Sequence, residues 1–592
     1  MAEVIAVMSL VEDAVSAAMA RVLSPELSER DPLVRASEHA DFQSNVAMSL
    51  AKQVGVPPRE LAQVLERELV GGPVGASLSG PGFLNLTVAD ERLWGQVEAR
   101  LADHRLGVGT PMSASRTVVD YSALSIAKEM HVGHLRTTVI GDALVRVLDF
   151  LGAEVVRQNH LGDWGTQFGM LIQYLDEHPE AGWRAGPAGA EVSAAEASKW
   201  ISVLDELYRA ARREFERDAG FAERARLRVV ALQSGDEATL ARWRELVAVS
   251  VQAFQRIYHR LGVLLTEQDA AGESTYNPFL DEVVEELVEA GIAVESDGAL
   301  CVFFDDVTGP DGAPVPLIVR KKDGGYGYPA TDLAALRHRI RRLGADRILY
   351  VVDARQTLHF KMVFATARRA GWLTDRVEAV HVPFGTVLGP GGTPFKTRSG
   401  ETVRLAGLLD AAVDGVREVM ADKPHDLTGE ALEAVIQAAG IGAVKYAELS
   451  TSRVKNYVFD VAQMVSLHGD TGVYLQYAHA RLRTILSRAP REALESAIDP
   501  SVPPHPAERA LILLLDGFDA TVREVARELE PHRLCGYLFA LAKALTDFYG
   551  SCPVLKAETP AHRANRLALC RLTAETLARG LDLLGIRAPE RM

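Results

Sequence analysis

The sequence predicts an α/β protein built around a parallel sheet. A helical insertion interrupts the sheet domain, a small α+β domain precedes it, and an all-α bundle follows it. Three observations predict this. A strand at Val118–Tyr121, a helix from about His131 to Leu151 and a strand at Glu154–Arg157 succeed one another in under 45 residues. A unit of that kind pairs its strands in parallel, with the helix as the crossover. Apolar strands return at Arg347–Asp353 and Ala379–Phe384, and from about Gly429 onward strands give way to amphipathic helices.

The elements follow in order. Val4–Leu23 and Asn45–Val54 carry helical apolar spacing, Gly71-Gly72-Pro73 breaks it, and Pro81-Gly82 turns the chain into a short strand through Phe83-Leu84-Asn85-Leu86. In the helix from His131, residues Leu135, Val139, Ile140, Ala143, Leu144, Val147, Leu148 and Leu151 share one face, and Gly152 suits the residue just past its end. From about Ala194 to Leu261 the chain is highly charged and helical. The closing bundle comprises Ala431–Tyr446, Tyr474–Arg488, Ala507–Glu528, Leu534–Tyr549 and Leu567–Leu584. The expected boundaries are 1–115, 116–193, 194–300 (mainly helical), 301–428 and 429–592.

A chain of 592 residues corresponds to roughly four domains. Apolar residues at 48% and charged residues at 24% exclude wholesale disorder. The net charge of −15 argues against a generally basic nucleic-acid binder but leaves local patches open. Cys301, Cys535, Cys552 and Cys570 form no C-x-x-C pair, which disfavours a disulfide framework or a structural zinc. Glu3, Glu12 and Asp13 stand where a secretion signal needs positive charge, and no apolar run approaches a membrane span. The expectation is a cytoplasmic protein without a membrane segment.

Two constellations carry chemistry. His131-Val132-Gly133-His134 opens a helix that follows a parallel strand, where free backbone N–H groups and the dipole favour an anion. Gly133 clears space for a flat base or a ribose, and two imidazoles can donate to phosphate oxygens. H-x-G-H is expected by chance about 0.035 times in a chain of this composition, and a simple helix cap is the competing reading. The second is Gly389-Pro390-Gly391-Gly392 leading into Phe395-Lys396-Thr397-Arg398-Ser399-Gly400, a basic, hydroxyl-bearing loop suited to a triphosphate; a solvated turn is its alternative.

Together they resemble the signature pair of class I aminoacyl-tRNA synthetases, and the surrounding text resembles the arginyl-tRNA synthetase family. The carrying residues are Asp120-Tyr121-Ser122, Ala127-Lys128-Glu129-Met130 before the first motif, Asn159 to Gly169, Ala330 to Ala335 and Asp353-Ala354-Arg355-Gln356. Asp41-Phe42-Gln43-Ser44-Asn45, Pro81 to Asn85, Tyr474 to Arg481 and the ending Pro589 to Met592 extend the match nearly end to end. The resemblance implies a Rossmann-like catalytic domain that activates L-arginine with ATP, assisted by Mg²⁺, and transfers it to tRNA. It implies that His131, Gly133, His134, Lys128, Thr397, Arg398 and Ser399 hold ATP, with His131, His134, Lys128 and Arg398 catalytic and no metal ligand from the protein. It places arginine on Asp120, Ser122, Ser125, Tyr328, Asp332 and Gln356. It places tRNA on Phe42, Asn45, Phe83, Asn85, Tyr474, Tyr477, His479, Arg481 and Arg483, and implies a monomer. Arg337, Arg339, Arg341 and Arg342 offer a further phosphate track, or a solvated helix face.

The sequence departs from the family where Leu124-Ser125 replaces Pro-Asn. A serine hydroxyl is shorter than an amide, and loss of the proline frees the backbone, so weakened or altered arginine recognition and a looser loop are expected. Two other readings stand beside a working synthetase. One is a nucleotidyltransferase for another small carboxylate or amine. The other is a specialised or impaired paralogue, such as an inhibitor-resistant copy or an RNA-binding protein.

Overall fold

A computed structural model describes residues 4–181, 194–308, 312–389, 391–393, 403–421 and 426–592. At its centre four parallel strands run in the order Glu378–His381, Arg347–Tyr350, Arg116–Asp120, Glu154–Gln158. The chain enters through Arg116–Asp120 and adds its later strands on opposite sides of it. The loops leaving Asp120 and Tyr350 therefore diverge, and open a crevice at the carboxyl ends of the strands, where such sheets bind ligands.

The Val132–Phe150 helix fills the expected face: every residue named above for it is buried. Its polar residues Arg136, Thr138 and Asp142 are buried too, Arg136 within the apolar stripe and the other two on the far side. Arg136 and Asp142 meet Glu448 and Lys445 of the Gly429–Ser450 helix in the carboxyl-terminal bundle, whereas Thr138 is covered by Ser122. Gly141 in this helix lies against Tyr121, and any Cβ there would collide with the ring.

Several expectations are revised. The charged stretch from 194 is three helices, Ala194–Arg217, Ala219–Gln233 and Glu237–Leu261, capped between by Asp218 and Asp236. After it comes an antiparallel sheet of Val294–Ser296, Ala299–Val302 and Leu317–Arg320, whose strands are too short for periodicity to reveal. Ala507–Glu528 is two helices, Pro506–Asp516 and Phe518–Glu528, meeting at Gly517. Strands also do not end at Gly429: Tyr457–Val458 pairs in parallel with Val387–Leu388, joining the bundle side to the approach of the glycine-rich loop.

The amino-terminal domain is an antiparallel sheet, Val34–Ala36, Phe42–Ser44, Phe83–Val88 and Val74–Ser79 in spatial order, covered by helices. It seats on the carboxyl-terminal bundle through buried charge. Arg509 donates to Asp41 at 2.6 Å and to Asp90 at 2.6 Å, and Arg100 donates to Asp516 at 2.8 Å with both partners nearly sealed from solvent. Removing one member strands the other, a loss on the order of 3 kcal/mol. Asp41→Ala is accordingly expected to lower stability in denaturant melts, with partial recovery in Asp41→Ala/Arg509→Met; a single variant as stable as the parent would contradict this.

Candidate active site

The loop after Asp120 bends sharply. Ser122, Ala123 and Ala127 take left-handed backbone angles (φ 73°, 47° and 62°), which non-glycine residues adopt only when their surroundings enforce them. Ser122 Oγ lies 2.8 Å from Thr138 Oγ1 and 2.7 Å from the Tyr258 hydroxyl. Asn159 Oδ1 accepts from the Ala123 N–H at 3.1 Å and Ser250 Oγ from that of Ala127 at 3.0 Å. Tyr258 and Ser250 belong to the Glu237–Leu261 helix, so the insertion props this loop. Where the family carries proline and asparagine, Leu124 is buried, its carbonyl accepts from Gly162 at 2.9 Å, and Ser125 bridges to Gly162.

His131 stands at the amino-terminal cap of the next helix. Its Nδ1 accepts from the Gly133 N–H at 3.0 Å, and His134 Nδ1 accepts from the His131 N–H at 3.1 Å. With both Nδ1 atoms accepting, each ring carries its proton on Nε2. The rings stack at 3.7 Å. Burial, then the Lys128 charge, lowers the His131 pKa; burial, then His131 and Lys128, pushes His134 down to about 3. Both are neutral Nε2–H donors at working pH. Cap and ligand donor are thus one arrangement, not alternatives. A Cβ on Gly133 would meet His131 Cε1 at 2.9 Å.

These residues line a cavity of about 640 Å³. It gathers Ser122, Ser125, His131, Gly133, His134 and Gln356 from the expected set, with Phe384 to Val387 opposite. Lys128 lies at its approach, its ammonium 4.9 Å from the Tyr208 ring of the insertion. Thr397, Arg398 and Ser399 fall outside the described residues. The chain leaving that loop docks on the first motif: Val132 N–H donates to Val403 O at 3.1 Å, Leu405 N–H to Met130 O at 2.9 Å, and Arg404 pairs with Glu129 at 3.1 Å.

A second cluster of polar groups gathers around Asp332. Asp332 Oδ2 is 2.6 Å from His359 Nε2, and its Oδ1 is 4.0 Å from His160 Nε2. Glu273, which sequence reading missed, is buried nearby. Burial, then the charges of Asp163 and Asp332, pushes its carboxyl up to about 8. Its only sequence signal was an acid among Gly272, Ser274 and Tyr276 in an irregular segment. Tyr328 opens the next helix and is 65% exposed. Desolvation, then the Glu273 charge, raises its phenol pKa.

Asp120 is placed differently. It is buried, does not line the cavity, and accepts from Arg339 Nη2 at 2.8 Å. Arg339 also donates to Gln158 Oε1 at 2.6 Å and lies 4.9 Å from the Tyr350 ring, so one guanidinium ties together the ends of three adjacent strands. Of the basic run, Arg339 is sealed inside, and Arg337 and Arg341 pair with Glu286.

Comparison with known proteins decides what this assembly is. The family profile described as tRNA synthetases class I (R), catalytic domain, matches residues 96–461. Profiles for the arginyl tRNA synthetase N terminal domain and the DALR anticodon binding domain match 9–88 and 475–592. The arginine–tRNA ligase of Frankia casuarinae is 62% identical over 98% of each chain, and that of Streptomyces coelicolor 53% over 96% of each. The chain belongs to the arginyl-tRNA synthetase family. The solved arginyl-tRNA synthetase of Thermus thermophilus superposes with a TM-score of 0.79 at 26% identity, over 99% of this chain and all of that one.

The synthetase's expected tRNA residues separate into two groups. Phe42 is core, and His479 is buried with Nδ1 2.9 Å from Pro589 O, so neither ring is free to stack on a base. Asn45 caps the start of the Val46–Val54 helix by position, Phe83 packs beside Gly80, and Asn85 Oδ1 accepts from Gln43 at 2.9 Å. Tyr474 packs on Phe539 within the bundle. Tyr477, Arg481 and Arg483 instead line a cavity of about 1100 Å³ with Arg488, Arg571 and Arg591, a local positive surface on an acidic protein. Arg481 lies 4.0 Å from the Tyr549 ring, and Arg483 pairs with Glu590 at 2.5 Å.

Proposed function

We propose that this arginyl-tRNA synthetase forms arginyl-adenylate in the 640 Å³ cavity, with the paired imidazoles of His131 and His134 as its phosphate donors. As in the family, the arginine carboxylate attacks the α-phosphorus of ATP and pyrophosphate leaves; a hydroxyl of the terminal tRNA ribose then attacks the arginyl carbonyl and AMP leaves. No protein nucleophile is required; the work is positioning and stabilising developing charge. The single observation that carries the reading is that both Nδ1 atoms accept backbone N–H groups, which leaves both Nε2–H groups for the ligand.

Lys128 adds positive charge next to these rings, and Thr397, Arg398 and Ser399 complete the phosphate site from a loop whose far stem is fastened to the first motif. Among the described residues no group of three or more His, Cys, Asp and Glu has metal-binding geometry. Mg²⁺ would arrive on the triphosphate, as it does where phosphates supply most of its ligands. Asp332, Glu273 and Tyr328 take the guanidinium, Gln356 and Ser125 the amino-acid end, and Ser122 and Asp120 hold the loop and strand that carry them. The basic cavity of the bundle and the amino-terminal sheet take tRNA. The enzyme works as a cytoplasmic monomer; among the described residues no helix is long and apolar enough to cross a membrane.

The specialised-paralogue reading finds no support. Arginine-dependent ATP–pyrophosphate exchange, run with and without arginine tRNA, tests the proposal: exchange is expected with tRNA, and its absence under both conditions overturns it. Ser125→Asn introduces an amide at the cavity wall. One added hydrogen bond to a charged group is worth about 1.5–3 kcal/mol, so the arginine KM is expected to fall about ten- to a hundredfold. Equal KM values in the two proteins would show that position 125 does not meet the substrate.

A further inference from the structure

Arg136 lies two residues beyond His134 and is 1% exposed. Its Nε donates to Glu448 Oε1 at 2.5 Å, and Glu448, on the Gly429–Ser450 helix, is wholly buried. Its Nη1 donates to the Lys455 carbonyl at 2.8 Å, and its guanidinium carbon is 5.4 Å from the Tyr457 ring. One side chain therefore joins the first-motif helix to the segment after the Gly429–Ser450 helix.

That segment backs the opposite wall of the cavity. Asn456 Oδ1 accepts from the Thr386 N–H at 2.6 Å, and Arg453 O accepts from that of Gly385 at 2.8 Å. A Cβ on Gly385 would stand 2.6 Å from Asn456 Oδ1 and 2.7 Å from Lys455 O, so strand and segment touch without slack. Arg136 itself lines the cavity with His131, Gly133 and His134, and Phe384–Val387 line it as well. Arg136 is anchored in the first wall and holds the backbone that fixes the second.

We propose that Arg136 and Glu448 are a positioning pair for the nucleotide: they set the width of the cavity and thereby the approach of the His131 and His134 donors to the phosphates. This rests on the reading of the cavity as the ATP site. A buried ion pair is weak evidence for stability in itself, since desolvation offsets much of the attraction. Fixing a spacing is the kind of specificity such pairs supply. An arginine fork reaches two acceptors at once, which a lysine ammonium of the same charge does not reproduce.

The test uses full-length Arg136→Lys and the near-isosteric Glu448→Gln in exchange assays at saturating arginine and tRNA, well below each variant's melting temperature. The ATP KM is expected to rise at least tenfold in both, with the arginine KM within twofold of the parent. The double variant is expected to be no worse than the poorer single one, because the pair acts as a unit. A lowered melting temperature with unchanged ATP KM would reduce the pair to a structural brace and overturn the proposal. Photolabelling of the parent with 8-azido-ATP separates the two readings. Label on peptides containing 131–137 or 384–387 upholds the cavity as the ATP site, whatever the variants do, and label elsewhere removes that foundation.

Discussion

The His134→Asn enzyme is expected to form arginyl-adenylate about 10²–10³ times more slowly than the parent, the usual cost of losing one donor to developing charge. Its fold should be nearly unchanged. An asparagine amide oxygen reaches the place of Nδ1 and can accept from the His131 N–H, so the cap survives while the Nε2–H donor is lost. His134→Gln makes the opposite exchange: it restores a donor near Nε2 and gives up the cap, worth about 1 kcal/mol. It should retain much of the rate and melt earlier. Because burial holds His134 down at about 3, the ring does not titrate in the working range. Exchange at saturating arginine should therefore show no inflection from it between roughly pH 6 and 8. Asparagine and glutamine variants with equal rates would show that His134 only caps the helix.

The same rings mark what the sequence did and did not disclose. Composition and periodicity made the parallel unit legible because the Val132–Phe150 helix carries an uninterrupted apolar face. They could not show that its polar residues are also buried, because Arg136 and Asp142 look like solvent residues until Glu448 and Lys445 of the bundle meet them. In the sequence Asp120 reads as a carboxylate near the substrate and Arg339 as part of a basic run. Neither could be recognised as the other's partner across 219 residues of chain. Ser122 was found by resemblance, but its strained backbone and its bonds to Thr138 and Tyr258 are products of tertiary contact. Glu273 went unnoticed for a related reason. Its environment comes from Asp163 and Asp332, remote in sequence, and a short helix of four residues has no periodicity to read.

Glu273→Gln is expected to raise the arginine KM about ten- to a hundredfold, the loss of about 1.5–3 kcal/mol from a charged hydrogen bond, with ATP KM unaffected. The pH dependence is the sharper test. In the empty pocket burial and two neighbouring carboxylates hold Glu273 protonated up to about pH 8, whereas a guanidinium needs the anion. Arginine binding must then release a proton below that pH, and apparent affinity should fall about tenfold for each unit below 8. In the glutamine variant this slope disappears. Stability carries the opposite sign. The folded-state pKa lies above the ordinary glutamate value of 4.5, so the folded state binds more protons and loses stability as pH rises from 4.5 to about 8. Glutamine escapes that penalty, so the variant should outlast the parent in melts by a margin that grows over this window and is constant above it. Better folding with poorer binding in one substitution separates substrate recognition from structural support, and a variant that binds arginine as well as the parent at pH 8 refutes the assignment. A site that ionises only when its cation arrives also discriminates against a neutral isostere of arginine, which cannot repay the cost of the buried charge. Glu273→Gln should therefore narrow that discrimination as well as weaken binding.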